Sequence, residues 1–219
     1  IVFFFVTIVV QSLMIVCFMT NQESHRRQSF FLYGVVCILA LSYIGLTAFN
    51  LPLLVPDEGR YAEVAREMLH DHQWLVPCLN GLVFFDKPVL CYWLMMLAMS
   101  IFHVSPWVAR LMPLLYGGLG LGLAYHWAKH FFDQETAIVS VLILGTNSLF
   151  FGLSHYINMD LAIAFWVNAS CACLSLYWFS PTHQGSTFWL NTAYIAMGLG
   201  FLTKGLIACV LPGLVMACY

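Results

Sequence analysis

The chain has 219 residues, 62% of them hydrophobic and only 8% charged, with a mean hydropathy of +0.86. Whole stretches of about 20 residues carry no charge, the length an α-helix needs to cross a bilayer, and this excludes an ordinary soluble domain. A formal net charge of -2 and a pI near 6.4 exclude a broad basic surface, so no nucleic-acid partner is expected.

Residues 1–19 form an apolar run without a charged leading region or a small-residue cleavage site, which predicts a membrane helix rather than a signal peptide. The polar loop from Asn21 to Gln28 holds Arg26 and Arg27, which the positive-inside tendency places in the cytoplasm. A second helix, from about Phe30 to Phe49, then delivers the segment 51–88 to the opposite side as a first outer loop. This loop carries Asp57, Glu58, Glu63, Glu67, Asp71 and Asp86 against Arg60, Arg66 and Lys87. From Asp57 to His70 the pattern is helical: Tyr61, Val64, Ala65, Met68 and Leu69 fall on one face, with charges opposite. Such an amphipathic helix is expected to lie on the membrane surface.

The apolar stretch Val89 to Ile101 follows Lys87-Pro88 and is short for a crossing, so it is expected to be interfacial or strongly tilted. Further apolar runs cover roughly Trp107 to Trp127, Ala137 to Leu153, Leu161 to Phe179, Phe188 to Thr203 and Leu206 to Tyr219. The fold class expected is all-α, a polytopic helical membrane bundle. The chain begins without Met and ends inside an apolar run, so 1–219 is expected to be the N-terminal part of a longer transmembrane domain. Cys17, Cys37, Cys91, Cys171, Cys173, Cys209 and Cys218 lie in or beside apolar runs and read as small hydrophobes, while Cys78 alone sits in a polar loop. No Cys-x-x-Cys pair is present, so neither a zinc finger nor a disulfide framework is indicated.

Four charged clusters abut apolar runs: Asp57-Glu58-Gly59-Arg60, Phe85-Asp86-Lys87-Pro88, Met159-Asp160 and Thr203-Lys204-Gly205. Each has a plain structural role open to it. Asp57 could cap the helix after Pro56, Asp86 and Lys87 could form an interfacial pair, Asp160 could cap the next helix, and Lys204 could snorkel to headgroups. Topology tests them jointly. If Val89 to Ile101 does not cross, two crossings separate Lys87 from Asp160, and a helical hairpin then returns Lys204 to the same outer face. Lysines at a membrane surface can hold a lipid-linked phosphate as point charges, and a carboxylate can take the proton of an attacking hydroxyl. A transporter or flippase for a lipid-linked anion is the alternative from another class, and it should show inverted repeats and broken helices near the midplane.

The ordered pattern Pro56-Asp57-Glu58-Gly59-Arg60-Tyr61-Ala62-Glu63, Arg66-Glu67-Met68-Leu69, Trp74-Leu75-Val76-Pro77 and Phe85-Asp86-Lys87-Pro88 with Tyr92-Trp93 resembles the first outer loop of GT-C glycosyltransferases. Met159-Asp160-Leu161-Ala162-Ile163-Ala164-Phe165-Trp166 and Thr203-Lys204-Gly205 resemble later landmarks of that family. Closest in pattern are the bacterial transferases that move aminoarabinose from undecaprenyl phosphate to lipid A, and their relatives among the protein O-mannosyltransferases. The resemblance implies a GT-C bundle in the bacterial inner membrane, surface-lying helices in the outer loop, a periplasmic active site and inversion at the anomeric carbon. It implies a polyprenyl-phosphate sugar donor and a lipid, glycan or protein acceptor. By the same resemblance Asp57 and Asp160 are catalytic, and Glu58, Arg60, Tyr61, Lys87 and Lys204 contact substrate. Asp86 stands where the aminoarabinose transferases usually carry a Glu that helps bind zinc, so a divalent metal, though not required by the chemistry, is assigned there.

Overall fold

The computed structural model describes residues 52–54, 56–179 and 185–218. The two expected helices before residue 50, their arginine loop, Cys17 and Cys37 lie outside these. Helix α1 spans Asp57–His70 and ends where the Asp71 N–H donates to Glu67 O at 2.9 Å. Its apolar stripe, offered by the sequence to a membrane surface, is taken up by protein: Val64, Ala65 and Met68 are buried against Tyr92, Met95 and Met96 of α2 (Leu90–Phe102).

Between α1 and α2 lies a feature that an all-α reading omits, a two-stranded antiparallel hairpin of β1 (Cys78–Leu79) and β2 (Leu82–Val83). Its turn residues Asn80 and Gly81 have φ of 54° and 75°. Asn-Gly suits that turn because both positions need the left-handed region. The Glu67 carboxylate accepts from the N–H groups of Asn80 (2.7 Å) and Gly81 (3.2 Å), fastening the turn to α1. The Trp93 indole donates to Trp74 O at 2.6 Å and ties the loop to α2. At 13 residues α2 is about 20 Å long, short of the roughly 30 Å hydrocarbon core.

A short turn of helix, α3 (Pro106–Ala109), runs into α4 (Leu111–Phe131), and the two together make a 26-residue apolar stretch long enough to cross a membrane. The return is made by α5 (Gln134–Thr146) and α6 (Ser148–His155), which meet at a 66° bend. The bend is stabilised locally: Asn147 Oδ1 accepts from the N–H groups of Leu149 and Phe150, capping α6. The expected single run from Ala137 to Leu153 is therefore a broken pair. Then α7 (Asp160–Phe179) crosses, α8 (Thr187–Lys204) packs back along it, and α9 (Ile207–Ala217) leans on both. Gly205, with φ 81°, makes the turn from α8 to α9. Among the described residues two helices, or three counting the bent pair, are long and apolar enough to span a membrane.

Helices α4 and α7 are pinned near both ends. Trp166 Nε1 donates to the Tyr116 hydroxyl at 3.2 Å, and Trp127 Nε1 donates to Ser175 Oγ at 2.9 Å. The six described cysteines are all free.

Candidate active site

The start of α4 and the end of α6 meet at the N-terminus of α1. Arg110, just before α4, and the N–H of Ile157, just after α6, both bond to Glu58. The chain thus makes one pass out and one pass back before Asp160. Lys204 then closes the α7–α8 hairpin by pairing with Asp160. The buried Thr203 lies beside Cys91 and Tyr116, where the end of α8 packs against the start of α2. All four charged clusters lie at this one end of the helices.

Within it, acids and bases pair. Asp57 pairs with Arg60, Asp86 with Lys87 at 3.1 Å, and Asp160 with Lys204. Each side chain is about a quarter to two fifths exposed, open to a ligand from outside. The plain capping role for Asp57 does not hold. Pro56 occupies the cap position and no side chain caps the helix, because Asp57 is already helical and turns to Arg60. Its acidic charge in the first turn still favours the helix dipole. Tyr156, unforeseen from the sequence, also reaches the Asp57 carboxylate, and its phenol is held above the ordinary value of 10.0 by burial and then by the charges of Asp57 and Glu58.

Tyr61 donates to Asp86 Oδ2 at 3.4 Å, and its ring lies 6.4 Å from that of Tyr92. Burial, followed by the Asp86 and Asp57 charges, raises the Tyr61 phenol above 10.0, so it remains a donor at neutral pH. Among the described residues Arg60 Nε and the Tyr92 hydroxyl are buried without a hydrogen-bond partner. These are two donors that an anionic oxygen or a water would satisfy.

Glu58 is placed differently from its neighbours. It is fully buried, with both oxygens engaged by Arg110 and by the N–H groups of Leu54 and Ile157. Burial pushes its carboxyl up, but the Arg110 hydrogen bonds, the two backbone N–H groups and the Arg110 charge together hold it below its ordinary 4.5. It faces the interior, so the substrate contact expected of it would need those bonds to break. Arg110 was missed from the sequence. Its signal was a lone charge at the start of a long apolar run, where such a group needs a partner.

Among the described residues no three His, Cys, Asp or Glu side chains gather as a metal site. Asp86 spends its carboxylate on Tyr61 and Lys87, and the ammonium beside it opposes a second cation.

A protein-family model described as dolichyl-phosphate-mannose-protein mannosyltransferase matches residues 86–219. The chain is 32% identical over 200 residues to the undecaprenyl phosphate-alpha-4-amino-4-deoxy-L-arabinose arabinosyl transferase of Pseudomonas paraeruginosa, covering 89% of this chain and 35% of the relative. The same enzyme of Edwardsiella ictaluri is 33% identical over 158 residues, 72% of this chain and 29% of its own length. Among solved structures, ArnT from Cupriavidus metallidurans bound to undecaprenyl phosphate aligns with a TM-score of 0.79 and 28% identity, over 90% of this chain and 36% of that one. Its apo state aligns at 0.77 and 29%, over 85% of this chain and 36% of that one. The chain spans about a third of the length of these relatives.

Proposed function

We propose that this chain, which belongs to the dolichyl-phosphate-mannose-protein mannosyltransferase family, is part of an integral membrane glycosyltransferase that takes its sugar from a polyprenyl-phosphate donor. The observation that carries the reading is the gathering of Lys87, Lys204, Arg60 and three carboxylates at one end of an apolar helical bundle. Similarity to a structure bound to undecaprenyl phosphate supports the donor class.

In this reading Lys87 and Lys204 hold the carrier phosphate, with Arg60 Nε and the Tyr92 hydroxyl as donors that its oxygens or an intervening water engage. Asp57 takes the proton of an acceptor hydroxyl as that oxygen bonds to the anomeric carbon. The bond from that carbon to the phosphate oxygen breaks, and the electron pair leaves on the lipid-anchored phosphate, stabilised by the lysines. Attack opposite the leaving group inverts the anomeric centre. Asp160 pairs with Lys204 and aims its ammonium at the phosphate.

The acceptor is a lipid A-like, glycan or protein hydroxyl, and the site faces the periplasm from a bacterial inner membrane. A divalent metal at Asp86 would need ligands from outside the described residues. The α5–α6 break is a feature the transporter alternative asks for, yet the bend carries Asn147 bonded to its own helix and no charged side chain.

The test is to incubate the full-length protein in membranes with radiolabelled polyprenyl-phosphate sugars. Label is expected to move to lipid A, protein or glycan. Label that only changes leaflet, without changing covalent partner, would establish the transporter instead. Orientation is read by thiol labelling of Val104→Cys from the periplasm and Gln134→Cys from the cytoplasm.

A further inference from the structure

Of the charged pairs that the chemistry above leaves unused, the one between Glu58 and Arg110 is buried, whereas Glu63–Arg66 and His70–Asp71 lie at the surface. Glu58 Oε2 accepts from Leu54 N–H at 2.9 Å and Arg110 Nη2 at 2.8 Å, while Oε1 accepts from Arg110 Nε at 3.1 Å and Ile157 N–H at 3.0 Å. A carboxylate offers about four acceptor positions, and here all are filled. Arg110 also donates to Pro52 O at 3.1 Å. One side chain in the first turn of α1 thus holds the segment before it, the start of α4 and the turn after α6.

Those held segments carry the groups assigned to the reaction. Asp57 directly precedes Glu58. Asp160 lies three residues beyond Ile157, its N–H held by Asn158 Oδ1 at 3.0 Å, and it reaches on to Lys204. The geometry points to Glu58 and Arg110 as a positioning pair that sets the spacing between Asp57 and the Asp160–Lys204 pair without touching substrate. The inference rests on the glycosyltransferase reading of this end of the bundle.

The arrangement is more demanding than an ordinary ion pair. Two backbone N–H groups point at position 58, so an Arg placed there would set donors against donors even with an acid at 110. Gln keeps the shape and one carbonyl oxygen but turns an NH2 toward those donors. Asp keeps the charge and both oxygens on a shorter reach. Placement of this kind governs turnover more than ground-state binding, because small displacements of reacting groups act on the transition state.

Two readouts on the full-length protein test it. The first is hydrogen exchange at the peptides containing Leu54 and Ile157. The second is transfer from undecaprenyl-phosphate-linked 4-amino-4-deoxy-arabinose. In Glu58→Gln, exchange is expected to rise at those two amides while α4 and α7 stay protected. Turnover should fall about tenfold or more with donor KM changed less than about threefold. The double exchange Glu58→Arg with Arg110→Glu is expected to give no recovery. Where Glu58→Gln does not fold, Glu58→Asp decides: lowered kcat at constant KM supports positioning, and wild-type kcat overturns it. Recovery by the double exchange, or loss of protection throughout α4 and α7, overturns it as well. A wild type that moves no sugar from any polyprenyl-phosphate donor sinks the functional reading alone, since the exchange data still judge whether Glu58 holds the two segments.

Discussion

Lys204, the last residue of α8, pairs with Asp160, the first residue of α7, across 44 positions of sequence. Both side chains are about a third exposed, at 34% and 38%. Exposed pairs contribute only about 0 to 1 kcal/mol to stability, so Lys204→Ala should melt close to wild type. The functional loss should be larger. A charge-assisted contact to the carrier phosphate is worth about 1.5 to 3 kcal/mol, which is about 10- to 100-fold in donor KM. Steady-state kinetics in membranes measures this, and an unchanged KM would remove Lys204 from the phosphate site.

Asp57→Asn should abolish most transfer while leaving the fold intact. The side chain caps no helix, so the substitution removes the charge, the basicity and the pairing with Arg60. Loss of a general base lowers kcat by about 10² or more. Near wild-type turnover in Asp57→Asn would move the role of base to Asp160.

Acid should loosen the outer loop through Glu58. Its folded carboxyl is held below the ordinary 4.5, so the unfolded chain takes up the proton first. The stabilisation is therefore complete above 4.5 and lost as pH falls through the lower folded value. Melting temperature should drop more between pH 5 and pH 3 for the wild type than for Glu58→Gln, which has no such proton to bind. Equal drops in the two proteins would exclude Glu58 as a source of acid lability.

Gly200 should tolerate no side chain, unlike Gly198 in the same helix. A Cβ at Gly200 would stand 2.7 Å from Ala208 Cβ and 2.9 Å from Trp166 Cβ, both close to their backbones and unable to swing away. Overpacking of this kind costs about 1 to 3 kcal/mol. A Cβ at Gly198 meets nothing within 4 Å. Thermal melting in detergent should show Gly200→Ala well below Gly198→Ala, and a matched pair would mean that α9 can slide off α8.

Several elements were legible because their cause is local. The 3.6-residue period from Asp57 to His70 marks α1 to its ends, and the charge-free run from Leu161 marks α7. The hairpin has a local signal in Asn80-Gly81 between Leu79 and Leu82, but strands of two residues are too short to show the alternating pattern of a sheet. The 66° break at Asn147 was hidden because apolar residues continue on both sides and hydropathy does not register direction.

By itself the sequence determined that the chain belongs in lipid, where its charges collect, and which face of α1 is apolar. These follow from transfer free energies and side-chain period, which are properties of short segments. Only the tertiary structure decided what covers that face, because protein and lipid are equally apolar to Val64 and Met68. It also decided which charges turn outward. Asp57 and Glu58 are adjacent in sequence and point apart: one is shared with Arg60 near the surface, the other is enclosed by Arg110 from 52 residues away and Ile157 from 99. A buried carboxylate persists only where donors from distant segments converge on it, and that convergence exists only once the helices have packed.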